Sequence, residues 1–123
     1  VVMYACNWMT NQGLSSEVTR IYNTFNGTRL QLGYASKMYL DSREGYAFGQ
    51  KLQNQTVVNA FLGATRIYQP QRKDGDTIAR VMGYTNAKNN YITTTSAAPS
   101  YSSSKNSFSI IVTETIPHTG RSV

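Results

Sequence analysis

The clearest periodic pattern in the chain is the segment LSSEVTRIYNTFNG, from Leu14 to Gly27. Its apolar residues recur at the spacing of one helix face, and they are Leu14, Val18, Ile21, Tyr22 and Phe25. Ser15 or Ser16 can cap the start of such a helix, and Asn26 followed by Gly27 is typical of a helix end. We therefore predict one N-terminal amphipathic helix over about residues 15–26.

From Thr28 onward the apolar residues alternate with polar ones. Leu30, Leu32 and Tyr34 share one face of an extended chain, which predicts a half-buried strand. Runs of β-branched and aromatic residues predict further extended segments at Val1–Thr10, Lys37–Leu40, Tyr46–Leu52, Thr56–Gln69 and Ile78–Tyr84.

The segments before and after Gly45 need separate treatment. Asp41–Gly45 is predicted as a turn before the extended segment that starts at Tyr46. The segment 56–69 is predicted as one long strand, or as two strands broken at Gly63. A helix over Val57–Leu62 stays open, because periodicity does not separate a short buried helix from a buried strand.

Two turn signals predict hairpins. Asp74-Gly75 is a strong hairpin signal and would join the 56–69 segment to Ile78–Tyr84. A long Ser-rich loop would join Tyr91–Ser96 to Phe108–Ile116. The fold class that follows is α+β, with the N-terminal helix packed on a mainly antiparallel β-sheet that ends in the long-loop hairpin. A length of 123 residues predicts a single domain over 1–123.

The composition limits the redox chemistry and the membrane behaviour of the chain. The one cysteine, Cys6, excludes an internal disulfide and a Cys-based zinc site, and its apolar surroundings predict a buried thiol. No signal peptide or membrane-length apolar run is present. We leave open a particle, an extracellular surface or the cytoplasm as the location, and an initiator-Met removal or a precursor cleavage before Val1.

Residues with catalytic chemistry meet only near the C-terminus, in the segment TETIPHTGR. Glu114, His118 and Arg121 are the base, acid and cation that a metal-independent ribonuclease needs. No nucleotide-binding, metalloprotease or hydrolase motif occurs. The sequence therefore predicts no cofactor and no metal, and a catalytic trio only as an alternative.

Basic and aromatic residues follow the predicted central hairpin. The net charge is +6 and the pI about 9.6, which favours acidic partners such as nucleic acid or another polyanion. Alternate positions of a strand pair would place cations and rings on one face, where they can contact phosphates and stack on bases. The residues of this predicted face are Arg66, Tyr68, Arg72, Lys73, Arg80, Tyr84 and Lys88.

The Ser-rich loop, SAAPSYSSSKN, carries no catalytic group. Its small uncharged side chains lose little entropy on burial, so we predict that Tyr101, Ser102 and Ser103 contact another subunit.

These observations favour a non-enzymatic structural or assembly subunit of the coat, pilus or particle-forming type. Its partners would be copies of itself, together with nucleic acid or another polyanion on the basic face. One alternative is a small basic RNA-cleaving enzyme or toxin domain. Another is a secreted adhesin or carbohydrate-binding domain, which would use the chain's nine Tyr and its Asn and Thr residues.

Overall fold

The computed structural model describes residues 1–9, 28–94 and 108–123. Two helices and a three-stranded antiparallel sheet make up this part of the chain, which confirms the α+β class. In chain order the elements are β1 (Leu30–Tyr34), α1 (Ser42–Lys51), α2 (Val57–Tyr68), β2 (Thr77–Tyr84) and β3 (Phe108–Ile116).

The sheet has the order β1-β2-β3, so β2 is the central strand and both of its pairings are antiparallel. The β2–β3 pairing starts at Thr77 opposite Ile116, and its register shifts between Val81 and Met82. This β-bulge leaves Ile111 without a partner residue on β2. The strands predicted over 28–34 and over Ile78–Tyr84 are confirmed within one or two residues.

The N-terminal segment runs parallel to β1. Val2 forms a parallel bridge with Leu32, and the Met3 amide donates to the Leu32 carbonyl at 2.9 Å. Residues 6–9 form a turn, so the predicted strand Val1–Thr10 is too long. The chain nevertheless returns to β1, because the Met9 amide donates to the Tyr34 carbonyl at 2.8 Å.

The predicted strand Tyr46–Leu52 is wrong, since these residues lie in α1 and the turn that follows it. The predicted turn Asp41–Gly45 is the start of that helix. Asp41 is the N-cap, and its side chain accepts a hydrogen bond from the Arg43 amide at 2.9 Å. Glu44 is the acidic residue of the first turn, and it is buried.

The predicted strand Thr56–Gln69 is also wrong, because Val57–Tyr68 is a helix. The alternative helix over Val57–Leu62 is confirmed and continues for six more residues. The Thr56 side chain caps it by accepting from the Asn59 amide at 3.2 Å. Its buried residues recur at helical spacing and face the sheet, which decides the conformation.

Neither predicted hairpin is formed as expected. Since α2 is a helix, Asp74-Gly75 lies in the connection from α2 to β2 and joins no two strands. Tyr91–Thr94 carries a turn and β3 pairs with β2 instead. Lys37–Leu40, predicted as extended, has no strand pairing. The N-terminal helix over 15–26 and the Ser-rich loop contact at Tyr101, Ser102 and Ser103 lie outside the described residues.

Apolar side chains pack on both faces of the sheet. Residues of α2 cover one face, where the buried cluster consists of Leu30, Leu32, Tyr34, Val58, Phe61, Leu62, Ala79, Val81 and Ala87. A smaller buried cluster consists of Met9, Met82 and Tyr84. Within the described ranges, neither helix has the length and apolarity that a bilayer crossing requires.

Candidate functional site

A buried carboxylate connects α1 to the sheet. Glu44 is 1% exposed and accepts hydrogen bonds from the Tyr34 hydroxyl at 2.7 Å and from the Gln69 amide nitrogen at 2.9 Å. Burial raises the pKa of Glu44, and the two hydrogen bonds offset this only in part. Gln69 also bonds both backbone groups of Tyr39 at 2.8 Å. This network is closed to solvent and fixes α1 against β1, so it is structural.

We predict that Glu44→Gln removes one component of the pH dependence of stability. Because the pKa of Glu44 is raised in the folded state, ionisation favours unfolding, and stability falls as the pH rises from the ordinary value of 4.5 through the raised value. Chemical denaturation at intervals from pH 4 to pH 8 measures this. As the pH rises, the free energy of unfolding of the wild type should fall relative to that of the variant. The same pH dependence in both proteins would contradict the prediction.

Polar and charged groups gather at one end of the sheet, which we call the carboxyl edge. The parallel N-terminal segment and β1 both end there, while β2 begins and β3 ends there. The residues of this edge, which contact one another or their chain neighbours there, are Cys6, Lys37, Arg72, Asp76 and His118.

An aspartate positions the histidine of the carboxyl edge. Asp76 Oδ1 contacts His118 Nδ1 and also accepts the His118 backbone amide at 3.0 Å. These two hydrogen bonds lower the pKa of Asp76. The next residue, Thr119, donates its amide to the Pro70 carbonyl at 2.7 Å, which holds this end of the chain beside the turn after α2. The contact with Asp76 therefore fixes the orientation of the imidazole ring through Nδ1.

Arg72 ties the carboxyl edge together. Its Nη1 donates to the Lys37 carbonyl at 3.1 Å and also to the Asp76 carbonyl, while its Nε donates to Asp74 at 2.9 Å. The Arg72 side chain is only 12% exposed, and its N–H donors bond groups within the protein. Asp74 in turn has its pKa lowered by Arg72. Arg72 therefore positions the loop before β2 and offers little charge to a partner.

Cys6 is exposed, in contrast to the buried thiol predicted from its apolar neighbours. It lies just beyond the parallel segment, and its sulfur accepts the Met38 amide at 3.4 Å. Asn7, directly after the cysteine, is a turn-forming residue, and its φ of 57° ends the extended run. This residue was the sequence signal for an exposed thiol. Among the described residues, no group of three or more His, Cys, Asp or Glu side chains is placed to hold a metal.

A comparison with protein-family models matches residues 1–114, which is most of the chain. The chain belongs to this family, described as a domain of unknown function, DUF6345. No curated protein and no solved structure matches it. The DUF6345 match ends inside β3, so it includes Cys6 and Asp76 but stops before His118 and Arg121.

The predicted catalytic trio is divided between different partners. Glu114 is bonded by Arg66 at 2.6 Å through two oxygens, and this lowers the pKa of Glu114. His118 is held by Asp76, the residue just before β2. Arg121 is exposed, and neither its side chain nor that of Glu114 bonds His118 in the described part of the chain. The acid–base pair that the structure forms is Asp76–His118, which joins residues 42 positions apart.

The seven residues of the predicted basic face lie on different elements. Arg66 and Tyr68 are on α2, and Arg66 pairs with Glu114. Arg80 and Tyr84 are on β2 and are buried. The strand pair that was to align these residues is absent, so they do not share one sheet face.

Exposed cations remain around the carboxyl edge and beyond it. Lys37, Lys73 and Arg121 are exposed; Lys37 belongs to that edge, Lys73 follows Arg72, and Arg121 lies three residues after His118. A Cβ built on Gly120 would lie 3.4 Å from the Lys73 side chain, which shows that Lys73 and the C-terminal segment are adjacent. Lys88 is exposed in the turn after β2, at the opposite end of that strand.

Proposed function

We propose that the chain is a non-enzymatic assembly subunit that associates with copies of itself through the outer edge of β3. The observation that carries this proposal is the position of β3, which comes last in the sheet order and has no described segment paired with its outer side. A nine-residue strand in this position presents a row of unpaired backbone groups, which is a template for pairing with another chain.

The side chains of β3 favour such pairing. The strand reads FSIIVTETI and contains one charged residue, Glu114, whose charge Arg66 compensates. Two copies of β3 would therefore meet without net repulsion. Thr113 and Thr115 are exposed, and β-branched residues of this kind pair well across strands. The bulge opposite Met82 interrupts the first half of β3, so Val112–Ile116 is the regular stretch available to a second copy.

A subunit of this kind fits the coat-, pilus- or particle-forming class. The family match covers residues 1–114, which include β3 up to Glu114, and it omits His118. We further propose that the exposed cations Lys37, Lys73 and Arg121 give the assembled subunit a contact for nucleic acid or another polyanion. Such a contact would weaken steeply as salt is raised.

The double variant Ser109→Lys/Thr115→Lys tests the edge. Charges at the two ends of an edge strand oppose strand addition, so the variant should sediment as a monomer where the wild type does not. The matched control is Asn54→Lys/Asn59→Lys, which adds the same charge at exposed positions around α1 and α2. Equal association of both variants and the wild type would contradict assembly through β3.

The Asp76–His118 contact favours a second candidate, an acid–base enzyme that acts on RNA at the carboxyl edge. The pair supplies an oriented imidazole, and Lys73 and Arg121 supply nearby positive charge for a phosphorane. Glu114 of the predicted trio would not take part in this reaction, because it forms an ion pair with Arg66.

For this candidate we predict that His118→Ala lowers RNA cleavage by about 10²-fold or more. Asp76→Asn, which leaves the imidazole in place without its carboxylate, should lower it less. Release of acid-soluble nucleotides from single-stranded RNA is the measurement. A wild type that cleaves no RNA, or a His118→Ala variant with full activity, eliminates the enzyme and leaves the assembly proposal standing.

A further inference from the structure

Arg80 is a buried cation in the middle of the central strand. It is 8% exposed and stands on β2 between Gly33 of β1 and Thr113 of β3. Its Nε donates to the Thr113 hydroxyl at 3.0 Å, and its Nη1 donates to the Met9 carbonyl at 2.9 Å. Both acceptors are neutral, so these contacts position the guanidinium without compensating its charge.

No described carboxylate is available to Arg80, because each of them has another partner. The pairs are Asp41 with Arg43, Glu44 with Tyr34 and Gln69, Asp74 with Arg72, Asp76 with His118, and Glu114 with Arg66. Desolvation accordingly lowers the pKa of Arg80, with no opposing charge to raise it. An uncompensated buried charge is costly, and apolar replacements of such groups are often neutral or stabilising.

We propose that Arg80 and Thr113 form a binding site for a small oxyanion, a carboxylate or a phosphate group. A guanidinium has five N–H donors, and two of the five in Arg80 are used, which leaves one on Nη1 and both on Nη2. That end of the fork matches the two oxygens of a carboxylate or phosphate.

Thr113 completes the site and opens it to solvent. Its hydroxyl oxygen accepts from Arg80, so its own hydrogen is available as a donor to the same anion. Thr113 is exposed, whereas Arg80 is not, so the ligand enters from the β3 side. The site does not depend on self-association. A bound anion would neutralise Arg80, the one described cation that is buried without a carboxylate partner.

Thermal unfolding of the wild type with inorganic phosphate or with acetate tests the site, at low millimolar concentrations and an ionic strength held constant with NaCl. The Tm should rise by about 5 °C and saturate with one of the two anions. A response to phosphate but not acetate assigns a phosphate ligand, and the reverse assigns a carboxylate. No saturable rise with either anion overturns the proposal.

Arg80→Met and Arg66→Met form the matched pair of variants. Arg80→Met should lose the anion response while keeping or raising the Tm in NaCl alone, whereas Arg66→Met, which removes an exposed cation, should keep the response. An equal response in both variants would mean a general salt effect and would overturn the site. Thr113→Val, which leaves Arg80 intact, is the second probe, and it should weaken the apparent anion affinity several-fold.

Discussion

Replacing Gly83 by alanine should lower the free energy of unfolding by about 3 kcal/mol or more, enough to unfold a marginally stable domain of this size. A Cβ at this position would lie 2.2 Å from the Arg29 carbonyl oxygen and 3.1 Å from the Leu30 Cα. Both are backbone atoms, one in the residue just before β1 and one in the first residue of β1, so no side-chain rotation relieves the overlap. The Tyr84 amide donates to the same Arg29 carbonyl at 3.1 Å, and the shift needed would break this bond.

Gly45→Ala is the control for Gly83→Ala. Gly45 lies inside α1, and nothing lies within 4 Å of a Cβ built there. Alanine at this site should stabilise the protein by about 0.5–1 kcal/mol, because it lowers the entropy of the unfolded chain without a clash. Urea unfolding followed by circular dichroism measures both variants. Similar stabilities would contradict the close approach of β1 and β2 at Gly83.

Phe61→Ala should lower the free energy of unfolding by about 3–5 kcal/mol. Phe61 is fully buried, and its ring centroid lies 5.7 Å from that of Tyr34 and 6.2 Å from that of Phe48. The side chain thus joins α2 to β1 and α1 at once. Truncation leaves a cavity that three elements border, and none of them can move into it without breaking other contacts.

Ile67→Ala, in the same helix, is the control for Phe61→Ala. Ile67 is 40% exposed, and its truncation should cost no more than about 1 kcal/mol. The same urea titration measures both variants. If Ile67→Ala costs as much as Phe61→Ala, the face of α2 that packs on the sheet has been assigned to the wrong residues.

The strands were predictable where the alternation of apolar and polar residues in the sequence matches the side chains that the fold buries. Leu30, Leu32 and Tyr34 alternate with less apolar residues, and they form β1 in the buried cluster under α2. The intervening residues were expected to face solvent, yet Gln31 is 5% exposed. Apolar groups pack on both sides of this sheet, and a single segment of sequence does not show what covers its second face.

The helix α1 was missed, and α2 was predicted only as the alternative helix over Val57–Leu62, because the residues of both have mixed preferences. α1 contains two glycines and two aromatic residues, and α2 begins with two valines, all of which lower helix propensity. The caps were the better signal. Asp41 with Glu44 three residues later, and Thr56 before an apolar run, both mark helix starts.

The site could not be assembled from sequence because its contacts are distant along the chain. Asp76 and His118 are 42 residues apart, and Arg66 and Glu114 are 48 residues apart. The basic face was predicted from a hairpin that required residues 56–69 to be a strand. Once that segment is a helix, Arg66 turns toward β3 and Arg80 stays on a strand that is covered on both faces.

The mass of the wild-type protein in solution tests the central claim most directly. Light scattering on a size-exclusion column at tens of micromolar should give at least twice the 13.7 kDa of one chain. The mass should fall to that of one chain for Ser109→Lys/Thr115→Lys and stay unchanged for Asn54→Lys/Asn59→Lys. A wild type that elutes as a single 13.7 kDa species under these conditions contradicts assembly through β3.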